Sequence, residues 1–368
     1  MNLAIVIPTF NRFSQLQRLI SSIQNQVIPR GLTLTICLSG AYCSARIKSY
    51  LRNLEGNHQR FNILVNILAL GPPNWCLAAG LVPSDFDYAW MVGDDDELIG
   101  SRSISQVFSL LNRHPNIDAL FVPMASRATE KYLIEDTFFH ICNRVGFHEV
   151  AGWISSSIVK VKIFEQVYNQ YYEIFTKRIK NFRQTPSLSR SLYEQKIGQF
   201  THTTCMLDIL FKSKVIFASI KIVTEQDSER GLLETLKRDK IKRLNKKYHS
   251  ARFIFDLQKI SETLRRHKCK PDPVFFKYVS RDYYQLCFDI LLDGISANEY
   301  SQDELAQLLS ILDTSLICSS ISYVKSNKII LLCIENLYHR LKFPEERLID
   351  KEIQNLWDLV KFREYPGL

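Results

Sequence analysis

Short apolar runs alternate with amphipathic segments along the first half of the chain. Residues 3–8 (LAIVIP) are continuously apolar and rich in β-branched side chains, which predicts a strand buried on both faces. Residues 13–26 (FSQLQRLISSIQNQ) carry leucine and isoleucine at helical spacing, and Ser14 with Gln17 has the spacing of a capping box. We therefore predict a strand followed directly by a helix.

The same alternation continues downstream. Residues 32–39 (LTLTICLS), 61–68 (FNILVNIL) and 88–92 (YAWMV) are typical of strands, with helical segments between them. A regular alternation of strands and helices predicts a Rossmann-like, mostly parallel α/β sheet. Ligands of such sheets bind beyond the carboxyl ends of the strands, where this chain carries PTFNR, LSG and GDDDE.

The hydrophobic pattern of the chain changes near residue 230. Before that point, residues 118–123 (DALFVP) and 214–223 (KVIFASIKIV) are again typical of strands. After it, the pattern is almost wholly helical and lacks clear strands. A chain of 368 residues also suits two domains at roughly 150 residues each. We predict an α/β domain over residues 1–230 and an all-helical domain over residues 231–368.

The amino-acid composition indicates which cellular compartment and which kinds of binding partner suit this chain. Hydrophobic residues make up 46% of the chain and charged residues 23%, as in ordinary globular proteins, and the net charge of +9 favours anionic partners. The nine cysteines include no CxxC pair, which argues against a disulfide framework or a structural zinc site and favours a reducing cytoplasm. We expect no signal peptide and no membrane-spanning helix, so any membrane contact would be peripheral.

Four acidic residues follow the predicted strand at 88–92, in the run GDDDEL (93–98). Carboxylate oxygens are preferred ligands of Mg²⁺ and Mn²⁺, and a cation shared with a diphosphate would offset their mutual repulsion. Acidic residues are also common in solvated turns and at helix N-termini, where they complement the helix dipole. The position of this run, after a buried strand and downstream of PTFNR, favours the metal and diphosphate interpretation.

Together, AIVIPTFNR (4–12) and GDDDEL (93–98) resemble the family 2 glycosyltransferases of the GT-A fold. That family opens with a strand and a P-T-[FY]-N-R turn and carries a D-x-D metal motif at the end of its fourth strand. Within the family, WMVGDDD (90–96) and WISSSIV (153–159) resemble bacterial enzymes of the abequosyltransferase type, which build lipopolysaccharide and capsule. The resemblance covers about residues 1–230.

The resemblance implies a nucleotide-diphospho-sugar donor and a Mn²⁺ or Mg²⁺ cofactor. Asp96 and Asp94 would hold the metal, with Asp94 also facing the ribose or diphosphate. The residues implied to line the nucleotide-sugar site are Pro8, Thr9, Asn11, Arg12, Ser39, Asn74, Asp94 and Asp95.

Two of these assignments have alternatives. The family usually has an acidic turn after its second strand, whereas CLSGAYC (37–43) has no acid, so Ser39 or backbone groups would take its place at the base. Asn74 lies where the family often has a base- or sugar-proximal asparagine, and capping of a helix is its alternative role.

An inverting transfer needs one base to take the proton of the acceptor hydroxyl. The family often supplies an aspartate that begins a helix, and the segment 201–215 has His202 at that place. A neutral histidine can serve as the base. Asp208 is the second candidate, although its depth in the helix favours a surface or capping role, and Glu149 is the third.

By the same resemblance, Trp153, Ser155, Ser156 and Glu149 would lie on the acceptor side. A tryptophan face can stack on a sugar ring, but simple packing is the favoured role for Trp153.

Residues 236–247 (LKRDKIKRLNKK) contain seven Lys and Arg residues. One interpretation is a solvated helix face packed on the α/β domain. The other is attraction to anionic lipid, worth about 1 kcal/mol per basic residue, which suits a lipid-linked glycan acceptor. We recognise no nucleic-acid-binding module and expect no nucleic-acid partner.

The sequence therefore predicts a metal-dependent, inverting glycosyltransferase of lipopolysaccharide or capsule synthesis. A nucleotidyltransferase would need a phosphate loop rich in glycine and basic residues after the first strand, and PTFNRFSQ has no glycine. A catalytically degenerate domain that acts as a binding or scaffold protein is the remaining alternative, and the missing acid after the second strand supports it.

Overall fold

The structure is a computed structural model, and it describes most of the first 225 residues and a short part of the C-terminal region. The predicted C-terminal domain falls mainly outside these residues, as does the basic segment 236–247, so the boundary at 230 stays a prediction. The described residues are 1–57, 60–68, 74–126, 128, 132–182, 201–225, 256, 259–278 and 281–282.

Nine of the described strands form one sheet, in the order β3-β4-β2-β1-β5-β9-β7-β10-β8. Two smaller pairs, β6 with β11 and β12 with β13, are antiparallel. The strands are β1 (Asn2–Pro8), β2 (Thr33–Ser39), β3 (Gly56–Asn57), β4 (Asn62–Asn66), β5 (Tyr88–Met91), β6 (Asp96–Leu98), β7 (Ala119–Phe121), β8 (Leu133–Thr137), β9 (Ser157–Lys160), β10 (Lys214–Ala218), β11 (Val223–Glu225), β12 (Lys277–Tyr278) and β13 (Arg281–Asp282).

The direction of the strands confirms the predicted sheet class. Strands β4, β2, β1 and β5 are successive parallel neighbours, and β7 and β10 run in the same direction on the far side of β9. Strands β3, β8 and β9 run the other way. The protein therefore has a mostly parallel α/β sheet.

Helices cover both faces of the sheet. The described helices are α1 (Phe13–Gln24), α2 (Ala45–Leu54), α3 (Asn74–Ala79), α4 (Ser103–Arg113), α5 (Phe138–Val145), α6 (Phe147–Ala151), α7 (Val161–Phe182) and α8 (Thr201–Leu210). Strand β1 shows why both faces are covered: Ala4 and Val6 belong to one apolar core, whereas Leu3, Ile5 and Ile7 belong to the other. Side chains alternate along a strand, so a continuous apolar run serves both layers.

Two local predictions are wrong. Helix α1 begins at Phe13, and the Ser14 hydroxyl donates to Gln15 instead of capping the helix. The turn before α1 is held by contacts of residues 9–12, so the helix begins two residues earlier than a Ser14 cap would place it, and Ser14 falls inside its first turn. The pattern of residues 146–165 also predicts a loop followed by a strand and the start of a helix, but residues 147–151 form the short helix α6.

The described part of the C-terminal region packs on the α/β domain. Phe275 stacks on Phe147 with ring centroids 5.3 Å apart, and His267 stacks on Phe211 at 3.9 Å. The two-residue strands β12 and β13 correct the expectation that this region lacks strands. Within the described ranges, no helix combines the length and the hydropathy needed to cross a membrane.

Candidate functional site

Three sequence motifs meet at the carboxyl edge of the sheet. Strand β1 lies between β2 and β5, and all three run in the same direction. Thr9 follows β1, Ser39 ends β2, and the acidic run begins two residues after β5. The parallel register therefore brings PTFNR, LSG and GDDDE to one place, as the sequence predicted.

Asp94 is the centre of this arrangement. Its Oδ2 accepts hydrogen bonds from Thr9 Oγ1 at 2.7 Å and from the Phe10 backbone N–H at 3.2 Å, and its Oδ1 accepts from Arg12 at 3.1 Å. Only 5% of Asp94 is exposed. Burial raises the pKa of the Asp94 carboxyl, while Thr9 and Arg12 act in the opposite direction. Both oxygens thus serve to hold the PTFNR turn.

Arg12 links Asp94 to the next acid. One guanidinium nitrogen, Nη1, lies 3.1 Å from Asp94 Oδ1 and 2.5 Å from Asp95 Oδ2. Burial alone would lower the pKa of Arg12, but the charges of Asp95 and Asp94 raise it above its ordinary value. The repulsion within the acidic run is therefore offset by a cation from the first motif.

Asp96 is held by a separate partner. The Ser155 hydroxyl donates to Asp96 Oδ2 and accepts from the Gly93 N–H at 2.8 Å, while the Trp90 indole N–H donates to the Ser155 carbonyl at 2.9 Å. Ser155 has no exposed surface. The family resemblance predicts an acceptor-side position for Ser155, and in the structure its hydroxyl contacts the acidic run.

The fourth acid of the run faces elsewhere. Glu97 lines an open polar groove of about 580 Å³ against α1. Successive residues of a strand point to opposite sides, so Glu97 and Asp96 cannot share one ligand. The other residues lining this groove are Ser14, Gln17, Arg18, Ser21, Ser22 and Asn25.

Asn11 shapes the turn that follows β1. Its φ of 57° lies in the left-handed region, which asparagine tolerates better than most residues. Its side-chain oxygen accepts the Ser44 N–H at 2.8 Å, and its own N–H points to Cys43 Sγ at 3.4 Å. Asn11 thereby ties the loop after β1 to the loop after β2.

Ser39 and Asn74 complete the support of the turn. The Ser39 hydroxyl donates to Asn74 Oδ1 at 3.2 Å, and Asn74 Nδ2 donates to the Thr9 carbonyl at 2.5 Å. Ser39 has no exposed surface and Thr9 only 1%. Pro8 pairs with Ser39 at the end of β1. These four residues therefore support the turn that carries Phe10 and Arg12.

Two exposed aromatic side chains stand at the same edge and were not singled out from the sequence. Phe10 is 62% exposed and Tyr42 is 39% exposed, and they follow β1 and β2. Single exposed apolar side chains are ordinary on a protein surface, so the interest of these two rings rests on their position at the carboxyl edge. The only signal in the sequence was the phenylalanine inside PTFNR.

The carboxylates suit a divalent cation that takes most of its ligands from elsewhere. Within the described ranges, no group of three or more His, Cys, Asp or Glu side chains lies close enough to hold a metal alone. Mg²⁺ and Mn²⁺ commonly use one or two protein carboxylates and complete their shell with phosphate oxygens and water. Asp96, oriented by Ser155, and the half-exposed Asp95 fit that limited role.

The other residues predicted to lie on the acceptor side differ in what they contact. Trp153 packs against an apolar core, as favoured from the sequence. Ser156 is 1% exposed, and its hydroxyl donates to the carbonyls of Val150 and Trp153, so it stabilises the chain reversal before β9. Glu149 lies partly exposed on α6.

His202 lies in the first turn of α8 beside a second histidine. Its Nε2 is 3.1 Å from Thr203 Oγ1, which in turn donates to the Ala151 carbonyl at 3.1 Å. Thr203 has one hydroxyl proton, so its oxygen accepts from Nε2–H, and Nδ1 is then the proton-accepting atom of the neutral ring. Burial lowers the pKa of His202 to about 4. Burial and the neighbouring His202 lower the pKa of His148 to about 3.

Asp208 is engaged in structural contacts. Arg266 forms an ion pair with Asp208 Oδ1, and Gln170 donates to Oδ2 at 3.1 Å. Asp208 therefore joins α8 to α7 and to the helical segment 259–266. These contacts match the surface and capping role that its depth in the helix suggested.

Replacing Ser155 with alanine is expected to destabilise the fold by about 1–3 kcal/mol, because Asp96 and the Gly93 N–H lose a buried partner. Urea unfolding followed by circular dichroism measures this loss. We also expect weaker Mn²⁺ binding in the presence of a nucleoside diphosphate, because the Asp96 carboxylate is no longer held in one orientation.

The matched control is Ser156→Ala, which removes a buried hydroxyl from the neighbouring position without touching an acid. It should cost comparable stability and leave Mn²⁺ binding unchanged. Equal losses of Mn²⁺ binding in both variants would show that Ser155 acts only through stability.

No family model matches the chain. Among curated proteins, the chain is similar to the GalNAc(5)-diNAcBac-PP-undecaprenol beta-1,3-glucosyltransferase of Campylobacter jejuni, with 33% identity over 110 residues. The chain is thus homologous to a glycosyltransferase. The match covers 30% of this chain and about a third (34%) of the relative's length.

Solved glycosyltransferases resemble the chain over most of its length. S. aureus TarS 1–349 in complex with UDP-GlcNAc gives a TM-score of 0.45 at 12% identity, with 95% of this chain and 93% of that fragment covered. The mannosyltransferase PcManGT from Pyrobaculum calidifontis, in complex with GDP-Man and Mn²⁺, gives 0.44 at 11% identity and covers 94% and 88%. Similarity at this level implies nothing about substrate or mechanism.

Proposed function

We propose that this protein is an inverting, metal-dependent glycosyltransferase of the family 2 type with the GT-A fold. It would transfer a sugar from a nucleoside-diphosphate donor to a hydroxyl of a glycan. The observation that carries the proposal is the contact of Arg12 and Thr9 with Asp94, which joins PTFNR to the acidic run at the carboxyl edge of the sheet. The homology to a glycosyltransferase supports the same reaction class.

The donor nucleotide would lie across the exposed front of this edge. Phe10 and Tyr42 offer ring faces on which a base can stack, and base–aromatic stacking is worth about 1–3 kcal/mol. Arg12 offers a guanidinium to the diphosphate. Thr9, Ser39 and Asn74 would support the nucleotide by holding the loop that carries Phe10 and Arg12.

The leaving diphosphate would be stabilised at the acidic turn. Asp96 and Asp95 would hold Mn²⁺ or Mg²⁺. Asp94 would hold the PTFNR turn and would not take the metal-binding role that the sequence predicted for it. The bound ion would supply positive charge next to the leaving phosphate oxygens. Ser155 fixes Asp96, and Gly93 lets the carboxylates approach the backbone, since a Cβ there would lie 2.9 Å from Asp95 Oδ1.

Proton removal from the acceptor would fall to His202 through its Nδ1. The lowered pKa keeps the His202 ring neutral at physiological pH, which is the protonation state that a general base needs. Asp208 is a weaker candidate because its carboxylate is paired with Arg266. Glu149 stays the third candidate.

The acceptor would be a lipid-linked glycan in bacterial surface polysaccharide synthesis. The name of the Campylobacter relative specifies an undecaprenol-linked glycan, and the abequosyltransferase-like motifs suit lipopolysaccharide or capsule. Attraction of the basic segment 236–247 to anionic lipid would bring the enzyme to such an acceptor.

Nucleoside diphosphates are expected to stabilise the protein in the presence of Mn²⁺. UDP, GDP, CDP and dTDP would be compared by differential scanning fluorimetry with Mn²⁺ and with EDTA. At 100 times its Kd, the matching nucleotide stabilises the folded state by about 2.7 kcal/mol. The matching nucleotide should raise Tm by several degrees with Mn²⁺ and by less with EDTA.

Phe10→Ala tests the stacking role, and Val27→Ala is its matched control. Both variants truncate a highly exposed apolar side chain, but Val27 lies after α1, away from the carboxyl edge. Only Phe10→Ala should reduce the shift. If none of the nucleotides changes Tm, the proposed donor site is contradicted. If no sugar nucleotide gives product in turnover assays, the alternative of a binding protein is favoured.

A further inference from the structure

The acidic turn already holds a cation that belongs to the protein. Nη1 of Arg12 lies 3.1 Å from Asp94 Oδ1 and 2.5 Å from Asp95 Oδ2, so a single nitrogen stands between two carboxylates. A divalent cation bound to Asp95 would sit about 2.1 Å from its oxygen. The guanidinium therefore occupies the space beside Asp95 that such a cation needs.

The side chain of Arg12 can leave this position while its backbone stays in place. The Arg12 carbonyl accepts the Leu16 N–H at 2.9 Å and begins α1. In contrast, 49% of the Arg12 side chain and 42% of the Asp95 side chain are exposed. Asp94 keeps its bonds to Thr9 and to the Phe10 N–H when Arg12 moves, so the turn does not depend on Arg12 alone.

We propose that Arg12 is an exchangeable counter-cation that couples entry of the divalent cation to entry of the nucleoside diphosphate. This inference rests on the proposed function. A guanidinium pairs in a bidentate manner with phosphate oxygens, so an incoming diphosphate draws Arg12 away from Asp95. The same diphosphate brings the oxygen ligands that the cation lacks on the protein. Cation and diphosphate therefore each bind weakly alone and more tightly together.

The test is the binding of Mn²⁺ to the full chain, measured from the electron paramagnetic resonance signal of free Mn²⁺. Arg12→Gln removes the competing charge, and we expect it to bind Mn²⁺ alone about 10-fold more tightly than the wild type, within the usual range of coupling between sites. UDP and GDP are then added, with correction for their own Mn²⁺ complexes. The matching nucleotide should raise Mn²⁺ affinity in the wild type and raise it much less in Arg12→Gln.

Arg18→Gln is the control, since it makes the same change of charge on the same helix but lies at the α1 groove. It should leave Mn²⁺ binding within about twofold of the wild type, because Arg18 is exposed and its charge is screened at physiological salt. Equal or weaker Mn²⁺ binding by Arg12→Gln would overturn the exchange while leaving the metal site intact. No Mn²⁺ binding by any of the three proteins, with or without nucleotide, would instead remove the metal site and the proposed function with it.

Discussion

Replacing Asp96 with asparagine is expected to reduce sugar transfer by about 10²–10³-fold, the usual cost of losing one electrostatic contact to the developing charge. Asparagine has nearly the same shape and keeps an oxygen that can accept from Ser155, so the turn should survive. What is lost is the negative charge that would hold the metal next to the leaving diphosphate. The measurement is release of nucleoside diphosphate from sugar donors that carry the nucleotide identified in the melting experiment, with Mn²⁺ present.

The control is Asp118→Asn, which removes one carboxylate charge from a surface pair with Lys160 at 3.2 Å. Surface pairs of this kind contribute about 0–1 kcal/mol, so activity and stability should both stay near wild-type values. Excess Mn²⁺ should recover part of the activity of Asp96→Asn if the metal is held more weakly. Full activity in Asp96→Asn would remove Asp96 from the mechanism.

A strand of the sheet could be predicted from the sequence where its apolar content matches its burial in the folded protein. Strand β1 is buried on both faces, and its continuous apolar sequence predicts this burial directly. Strand β6 consists of DEL, and β8 of LIEDT, and neither has the apolar content that marks a strand. Both form because a partner, β11 or β10, is brought alongside by distant parts of the chain. Pairing of this kind is not visible in a single segment.

The site could be located from sequence more securely than its contacts could be assigned. The motifs fall at the ends of parallel strands, so their meeting follows from strand direction alone. Which acid meets which partner depends on side-chain direction after long-range pairing. Ser155 contacts Asp96 because β9 lies antiparallel beside β5, and a motif such as WISSSIV carries no information about that neighbour. Sequence reasoning therefore located the acidic run but did not predict the contact of Ser155 with Asp96.

Acidification from pH 7 to pH 5 is expected to lower the free energy of unfolding by about 2 kcal/mol through His148 alone. The folded-state pKa of His148 is about 3, below the ordinary value of 6.5, and its side chain is buried. As the pH falls below 6.5, the His148 side chain becomes protonated in the unfolded chain but stays neutral in the folded protein. This contribution is therefore complete above pH 6.5 and is lost progressively as the pH falls toward 3. His202, with a folded-state pKa of about 4 and a partly exposed side chain, should add a smaller loss.

Urea unfolding at pH 7, 6 and 5 measures the effect, and glutamine is the informative substitution because it is polar at every pH but does not titrate. His148→Gln should flatten the decline in stability below pH 6.5, and His202→Gln should flatten it less. His140→Gln, which removes an exposed histidine from α5, should leave the decline unchanged. The same folded-state pKa predicts that transfer by His202 stays independent of pH down to about pH 5. A transfer rate that falls through an ordinary histidine pKa near 6.5 would point to a base other than His202.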